Sequence, residues 1–252
     1  PLVLVFHGGY GTGRGVADST GFNAVSDRAG FIVAYPDGTD RHWGDGRGTT
    51  LPDQQNVDDV GFVSALIADL VQTLAVDPKR VYAPGISNGG IFSHRLACEL
   101  SEKIAAIAPV AGAIAERFAP RCAPRQPVSV VAIHGTEDLF VLWNGGEVRG
   151  LIGGKVLSVA ETMARWVKLN GCPTTPQIAR EPNRDPADGT RVRREAYGPC
   201  PNGIDVVLYA VEGGGHTWPG GPGGRLPSTG RVSRDITATE IIWEFFEKHP
   251  KH

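Results

Sequence analysis

The stretch Arg80-Val81-Tyr82-Ala83-Pro84-Gly85-Ile86-Ser87-Asn88-Gly89-Gly90-Ile91 decides the fold. Its first four residues read as a buried strand, and the run Ile91–Leu100 that follows reads as a helix. Between them stands Gly85-Ile86-Ser87-Asn88-Gly89, a Gly-x-Ser-x-Gly element. In a strand–turn–helix setting this predicts a sharp turn that strains Ser87 and lifts its hydroxyl above a sheet. The alternative is a serine in an ordinary glycine-rich turn, and the strand and helix on either side argue against it.

Working outward, further apolar runs read as strands over Leu2–Phe6, Phe31–Tyr35, Ile104–Pro109, Val128–His134 and Val206–Val211. Most are continuous rather than alternating, as in a parallel sheet covered on both faces. Helical spacing runs through Val57–Leu74, where Val60, Val63, Ile67, Leu70 and Leu74 form one stripe, and through Lys155–Leu169. A last helix is expected over about Thr237–Glu247, with Thr237 and Glu240 matching a capping box and Ile236 and Ile241 a hydrophobic staple. This alternation predicts an α/β fold with a mostly parallel sheet, in a single domain over residues 1–252. Pro36–Gln55, Pro182–Thr190 and Gly213–Gly230 read as long surface loops, and loops that long are usually functional or mobile.

A serine hydroxyl needs a base within reach and a third group to orient that base. Gly135-Thr136-Glu137-Asp138 follows the fifth expected strand, and Glu212-Gly213-Gly214-Gly215-His216 follows the sixth. Loops at the carboxyl ends of parallel strands open on one edge of the sheet, so Ser87, Asp138 and His216 can converge as nucleophile, acid and base. Glu137 is the rival for the acid. Among the other histidines, His249 and His252 lie in a charged tail and His42 in a polar loop, while His94 points along its helix. His7 and His134 end strands and are expected to tie loops together. The oxyanion of an acyl-transfer intermediate needs main-chain donors. Asn88, at a helix start, supplies one, and the loop His7-Gly8-Gly9-Tyr10-Gly11 the other, through Gly9 with Tyr10 in reserve.

Leu4-Val5-Phe6-His7-Gly8-Gly9, Gly85-Ile86-Ser87-Asn88-Gly89-Gly90, Ile133-His134-Gly135-Thr136-Glu137-Asp138 and Gly213-Gly214-Gly215-His216-Thr217-Trp218-Pro219-Gly220 together resemble the polyhydroxybutyrate depolymerase and feruloyl esterase group of α/β-hydrolases. Ala108-Pro109-Val110-Ala111-Gly112 and Trp143-Asn144-Gly145-Gly146 are similar to that group as well. The resemblance implies an α/β-hydrolase fold and an extracellular serine esterase acting on esters of plant cell wall or polyester. It assigns the same roles to Ser87, Asp138 and His216 and calls for no cofactor. The group normally has one or two further strands before its His-Gly turn, so the sheet is expected to lack them in this chain. A feruloyl esterase ranks first, a short-chain hydroxyalkanoate depolymerase second and an acetylxylan esterase third. A binding protein with a decayed site is the alternative from another class, and the presence of all three triad types in order counts against it.

Composition narrows the partners. A formal charge of −2, from 25 Lys and Arg against 27 Asp and Glu, gives no basic face for nucleic acid or anionic membrane. No apolar run approaches the ~20 residues of a membrane helix. The expected partner is therefore a small or polymer-linked ester. Trp43, Trp143 and Trp218 sit in loops expected to overhang the site, where a flat aromatic face would suit a feruloyl ring or a sugar. Trp166 and Trp243 lie on helical stripes and are expected in the core. Cys98, Cys122, Cys172 and Cys200 lack zinc spacing, so no metal is expected. Four cysteines suit two disulfides and an oxidising compartment. Of three pairings the local ones, Cys98–Cys122 and Cys172–Cys200, are favoured; four free thiols in a cytosolic protein are the alternative. Glycine is plentiful, with 34 of 252 residues, and much of it falls in the proposed site loops.

Overall fold

The computed structural model describes residues 1–222 and 229–251. Part of the Gly213–Gly230 loop (223–228) and His252 of the charged tail lie outside the described residues. The strands are β1 (Leu2–Leu4), β2 (Ile32–Ala34), β3 (Val81–Ile86), β4 (Ala106–Val110), β5 (Ser129–Gly135), β6 (Gly146–Glu147), β7 (Lys155–Val156), β8 (Gln177–Arg180), β9 (Arg191–Tyr197) and β10 (Val206–Glu212). The helices are α1 (Gly13–Thr20), α2 (Phe22–Ala29), α3 (Leu51–Gln55), α4 (Asp59–Thr73), α5 (Asn88–Glu99), α6 (Val159–Leu169) and α7 (Ala238–Lys248).

Eight strands form one sheet in the order β2-β1-β3-β4-β5-β10-β9-β8, and β6 and β7 form a small separate ribbon. From β2 to β10 every pairing is parallel, so the carboxyl ends of β1, β3, β5 and β10 open on one edge. This is the mostly parallel, helix-covered sheet of an α/β-hydrolase. Two neighbouring residues of a strand face opposite ways, which explains the continuous apolar runs. Leu2 and Leu4 join the face covered by Val63 and Ile67 of α4, Leu96 of α5 and Trp166 of α6. Val3 and Val5 join the other, under Val16 of α1, Phe22 of α2 and Ile242 of α7.

Four elements differ from expectation. β8 and β9 add an antiparallel edge beyond β10. The charge-rich sequence of β9, Arg191-Val192-Arg193-Arg194-Glu195-Ala196-Tyr197, hid the strand because β9 is mostly half-buried and β8 beyond it exposed, so the edge needs little apolar surface. The helix read from Lys155 starts at Val159, because Lys155–Val156 pairs in β7 and a Ser158–Glu161 capping box sets the later start. At α7, Thr237 is the N-cap but makes no side-chain capping bond. Glu240 is taken instead by Arg28 of α2, with guanidinium–carboxylate contacts of 2.8 and 2.6 Å. Ile236 and Ile241 still share one apolar cluster. Disulfides join Cys98 to Cys122, at the end of α5, and Cys172 to Cys200, beyond α6. Among the described residues no helix is long and apolar enough to cross a membrane.

Candidate active site

Ser87 stands between β3 and α5 with φ 57° and ψ −122°, a conformation that L-residues rarely adopt. Both sides of the turn are held: Ser87 N donates to Val110 O at 2.9 Å, and Ile91 N donates to Ser87 O at 2.8 Å. The flanking glycines are required by contact. A Cβ on Gly85 would lie 2.4 Å from Gly89 O, and one on Gly89 would lie 2.3 Å from Phe6 O.

The loop after β1 is brought alongside by register. Phe6 bridges to Gly85, and Ile86 N donates to Phe6 O at 3.1 Å. Gly9, Tyr10, Ser87, Asn88 and His216 consequently line one cavity of about 540 Å³. Asn88 is the first residue of α5, where main-chain N–H groups have no intrahelical acceptor. Arg41 donates to the main-chain oxygens of Tyr10 and Gly11, fixing the far end of the β1 loop.

Parallel pairing of β5 with β10 sets Gly135 opposite Val211, so the two loops that follow start side by side. Glu137 N donates to Gly214 O and Gly213 N to Thr136 Oγ1, both at 2.9 Å. His216 Nδ1 then meets Asp138 Oδ2 at 2.7 Å. A carboxylate only accepts, so Nδ1 carries the hydrogen and Nε2 keeps the lone pair. The other Asp138 oxygen accepts from Phe140 N at 2.8 Å and Val141 N at 3.0 Å, and the side chain is buried. Glu137 points outward instead, with its carboxylate 3.2 Å from Arg231.

The remaining strand-end histidines hold structure. His7 Nε2 accepts from Gly38 N at 3.0 Å, which leaves its Nδ1 to donate to Gly8 O at 2.8 Å. His134 Nε2 donates to Val141 O at 2.8 Å. Burial lowers the pKa of both. In His94 burial pushes it down to about 3, and Nδ1 accepts from Trp166 Nε1 at 3.0 Å.

The tryptophans are placed differently from expectation. Trp43 is 0% exposed, stacked on Phe92 at 5.2 Å and set edge-on to Phe6, and so cannot overhang the cleft. Its charged neighbours suggested a solvated loop, but Asp45 and Arg47 are themselves buried and neutralise each other. Trp218 is buried against Phe22 on the opposite face of the sheet, with Nε1 donating to Thr239 Oγ1 at 3.0 Å. Trp143 lines a different space, of about 700 Å³, which has Arg149 in common with the lining of the Ser87 cavity. The apolar wall beside Ser87 comes instead from Ile91, Phe140, Val141, Val148, Leu151 and Ile152. Its signal was the apolar run Leu139-Phe140-Val141-Leu142 directly behind the acid, a run too hydrophobic for an ordinary surface loop.

Residues 1–120 match the family model described as Esterase PHB depolymerase. A protein named as an esterase, NocK, from Nocardia uniformis subsp. tsuyamanensis is 32% identical over 97% of this chain and 73% of its own length. Feruloyl esterase B of Piromyces equi is 30% identical over 86% of this chain, which spans only 39% of that protein. The acetyl xylan esterase from Aspergillus awamori superposes with a TM-score of 0.65 over 98% of this chain and 88% of its own, at 16% identity, a likeness of fold.

Proposed function

We propose, because this chain belongs to the Esterase PHB depolymerase family, that it is a serine esterase in which Ser87 is the nucleophile, His216 the base and Asp138 the acid. The chain is a carboxylic ester hydrolase; the proposal concerns its machinery and its substrate. The observation that carries it is the 2.7 Å bond between His216 Nδ1 and Asp138, in a cavity that His216 shares with Ser87.

Ser87 Oγ attacks the ester carbonyl while His216 Nε2 takes its proton. The main-chain N–H groups of Asn88 and Gly9 face the oxyanion of the tetrahedral intermediate, and Asp138 offsets the charge on the imidazolium. The intermediate collapses with the alcohol leaving, protonated by His216. Water activated by the same histidine then attacks the acyl-serine and releases the acid.

For the acyl group we propose a hydroxycinnamoyl unit such as feruloyl. The cavity of about 540 Å³ is walled by aliphatic side chains and by Phe140, whose ring lies 5.2 Å from His216. A flat, apolar acyl chain suits such walls better than acetate, and the likeness to feruloyl esterase B supports the same class. The family description keeps hydroxyalkanoate oligomers as the second reading. The two disulfides support a secreted protein, extracellular or periplasmic.

The test compares methyl ferulate with hydroxybutyrate oligomers and p-nitrophenyl acetate, in wild type and Ser87→Ala. Methyl ferulate is expected to show the highest kcat/KM. Ser87→Ala is expected to keep its fold and lose at least about 10³-fold in turnover. Wild-type turnover in Ser87→Ala would dismiss the nucleophile, and faster oligomer cleavage would move the substrate to the second reading. A fluorophosphonate adduct on Ser87 separates an enzyme from a binding protein with a decayed site.

A further inference from the structure

Arg47, which lines the Ser87 cavity, belongs to a buried charge pair that the chemistry above does not use. Asp45 is wholly buried, and Arg47 nearly so. Arg47 Nη2 and Nε lie 2.7 and 2.9 Å from Asp45 Oδ2. The same oxygen accepts from Asn88 Nδ2 at 2.6 Å. Asn88 is clamped further on Trp43, whose N donates to Oδ1 at 2.8 Å and whose O accepts from Nδ2 at 3.0 Å. On its other side Arg47 Nη1 donates to Gly153 O at 2.7 Å, in the segment whose Gly150, Leu151 and Ile152 roof the cavity.

A buried ion pair is weak as a source of stability, because desolvation offsets its attraction. Here it links two parts of one site. The loop that bears the pair is itself fixed: Asp53 accepts from Gly46 N and Gly48 N at 3.2 and 2.9 Å, and Asp59 accepts from Gly44 N at 2.6 Å. The side chain of Asn88 therefore rests on a rigid support. Three hydrogen bonds hold the Asn88 side chain and so restrain the peptide between strained Ser87 and Asn88. That peptide carries the N–H that faces the oxyanion.

We propose that Asp45 and Arg47 are positioning residues of this site. Asp45 aims the Asn88 main-chain N–H by holding its side chain, and Arg47 extends the same constraint to the acyl-cavity roof at Gly153. The proposal rests on Ser87 being the nucleophile.

The test uses the full chain and two readouts that a merely structural role would not move together. Asp45→Ala removes the oxygen that accepts from Asn88 Nδ2 at 2.6 Å. The expected result on p-nitrophenyl acetate is a fall in kcat of about 10- to 100-fold with KM within about twofold. Affinity for an alkyl boronic acid, whose serine adduct carries the tetrahedral anion, should fall by the same factor as kcat. Arg47→Lys keeps the charge for Asp45 but cannot hold Gly153 as well. It should raise KM for methyl ferulate about 10-fold more than KM for p-nitrophenyl acetate. Should Asp45→Ala fail to fold, Asp45→Ala with Arg47→Met removes both buried charges together and should show the same loss of kcat.

A folded variant with a lowered melting point but kcat and boronate affinity within twofold of wild type would overturn the positioning role. Failure of Ser87 to form a fluorophosphonate adduct in wild type would overturn the underlying nucleophile reading, and this proposal with it. The adduct is measured first, so the two failures are told apart.

Discussion

Asp138→Asn tests the acid more sharply than Asp138→Ala, because the hydrogen-bond geometry dictates which way the amide must face. Asp138 Oδ1 accepts from Phe140 N at 2.8 Å and Val141 N at 3.0 Å, so the amide oxygen has to take that side. The NH₂ then occupies the place of Oδ2, 2.7 Å from His216 Nδ1. His134 Nε2, 3.6 Å from Oδ2, already donates to Val141 O and offers the NH₂ no acceptor. His216 must present a lone pair at Nδ1, which moves its hydrogen to Nε2 and leaves nothing to take the Ser87 proton. The shape of the site is unchanged, so the loss falls on chemistry. We expect kcat/KM to drop about 10³- to 10⁴-fold, equivalent to about 4–5.5 kcal/mol of transition-state stabilisation. The assay is the initial rate on p-nitrophenyl acetate, with the fluorophosphonate labelling rate and the melting point measured on the same preparation. Glu137→Gln is the control. That side chain is exposed and, among the described residues, pairs with exposed Arg231, so the variant's rate should stay within about twofold. A tenth of wild-type turnover in Asp138→Asn, or a larger loss in Glu137→Gln, would refute the assignment.

Two further predictions concern stability. Joint replacement of Cys172 and Cys200 by alanine opens a loop of 28 residues and should cost about 3.5 kcal/mol by chain entropy, read as a lower urea midpoint. No residue of that loop lines the Ser87 cavity, so kcat should hold; an unchanged midpoint would count against the bond as a stabiliser. His94, which burial pushes from 6.5 down to about 3, stays neutral in the folded chain while the unfolded chain protonates. Stability from this group is full above pH 6.5 and declines by about 1.4 kcal/mol per pH unit as pH falls toward 3. His94→Gln can still accept from Trp166 Nε1 and should flatten the acid limb by about one proton, the slope left by His7 and His134 persisting; an identical limb would disprove the burial cause.

What could be read from the sequence divides by the range of the forces involved. The turn at Ser87 is local: a strand, two glycines that must lack side chains and a helix start lie within a dozen residues. The loops bearing Asp138 and His216 follow parallel strands, and topology alone sends such loops to one edge. Choosing Asp138 over Glu137 was different, since it turns on the two main-chain donors at Phe140 and Val141. Burial of Trp43 was less legible still. The sequence around it, Arg41-His42-Trp43-Gly44-Asp45-Gly46-Arg47, has the composition of a solvated loop. It is buried because Asn88, 45 residues on, satisfies the Trp43 main chain and the Asp45 carboxylate, while Phe92 takes the indole face. Charge that looked like a surface mark is internal wiring, and polar side chains at i and i+2 cannot reveal this by themselves. The same ambiguity hid β9, where Arg193 pairs with Glu195 of its own strand and with Glu212 of β10. In both places the misread residues are charged ones that pair two residues along and bond again to a distant partner, Asn88 or Glu212, whereas the apolar pattern, which answers to water alone, located the strands of the parallel sheet.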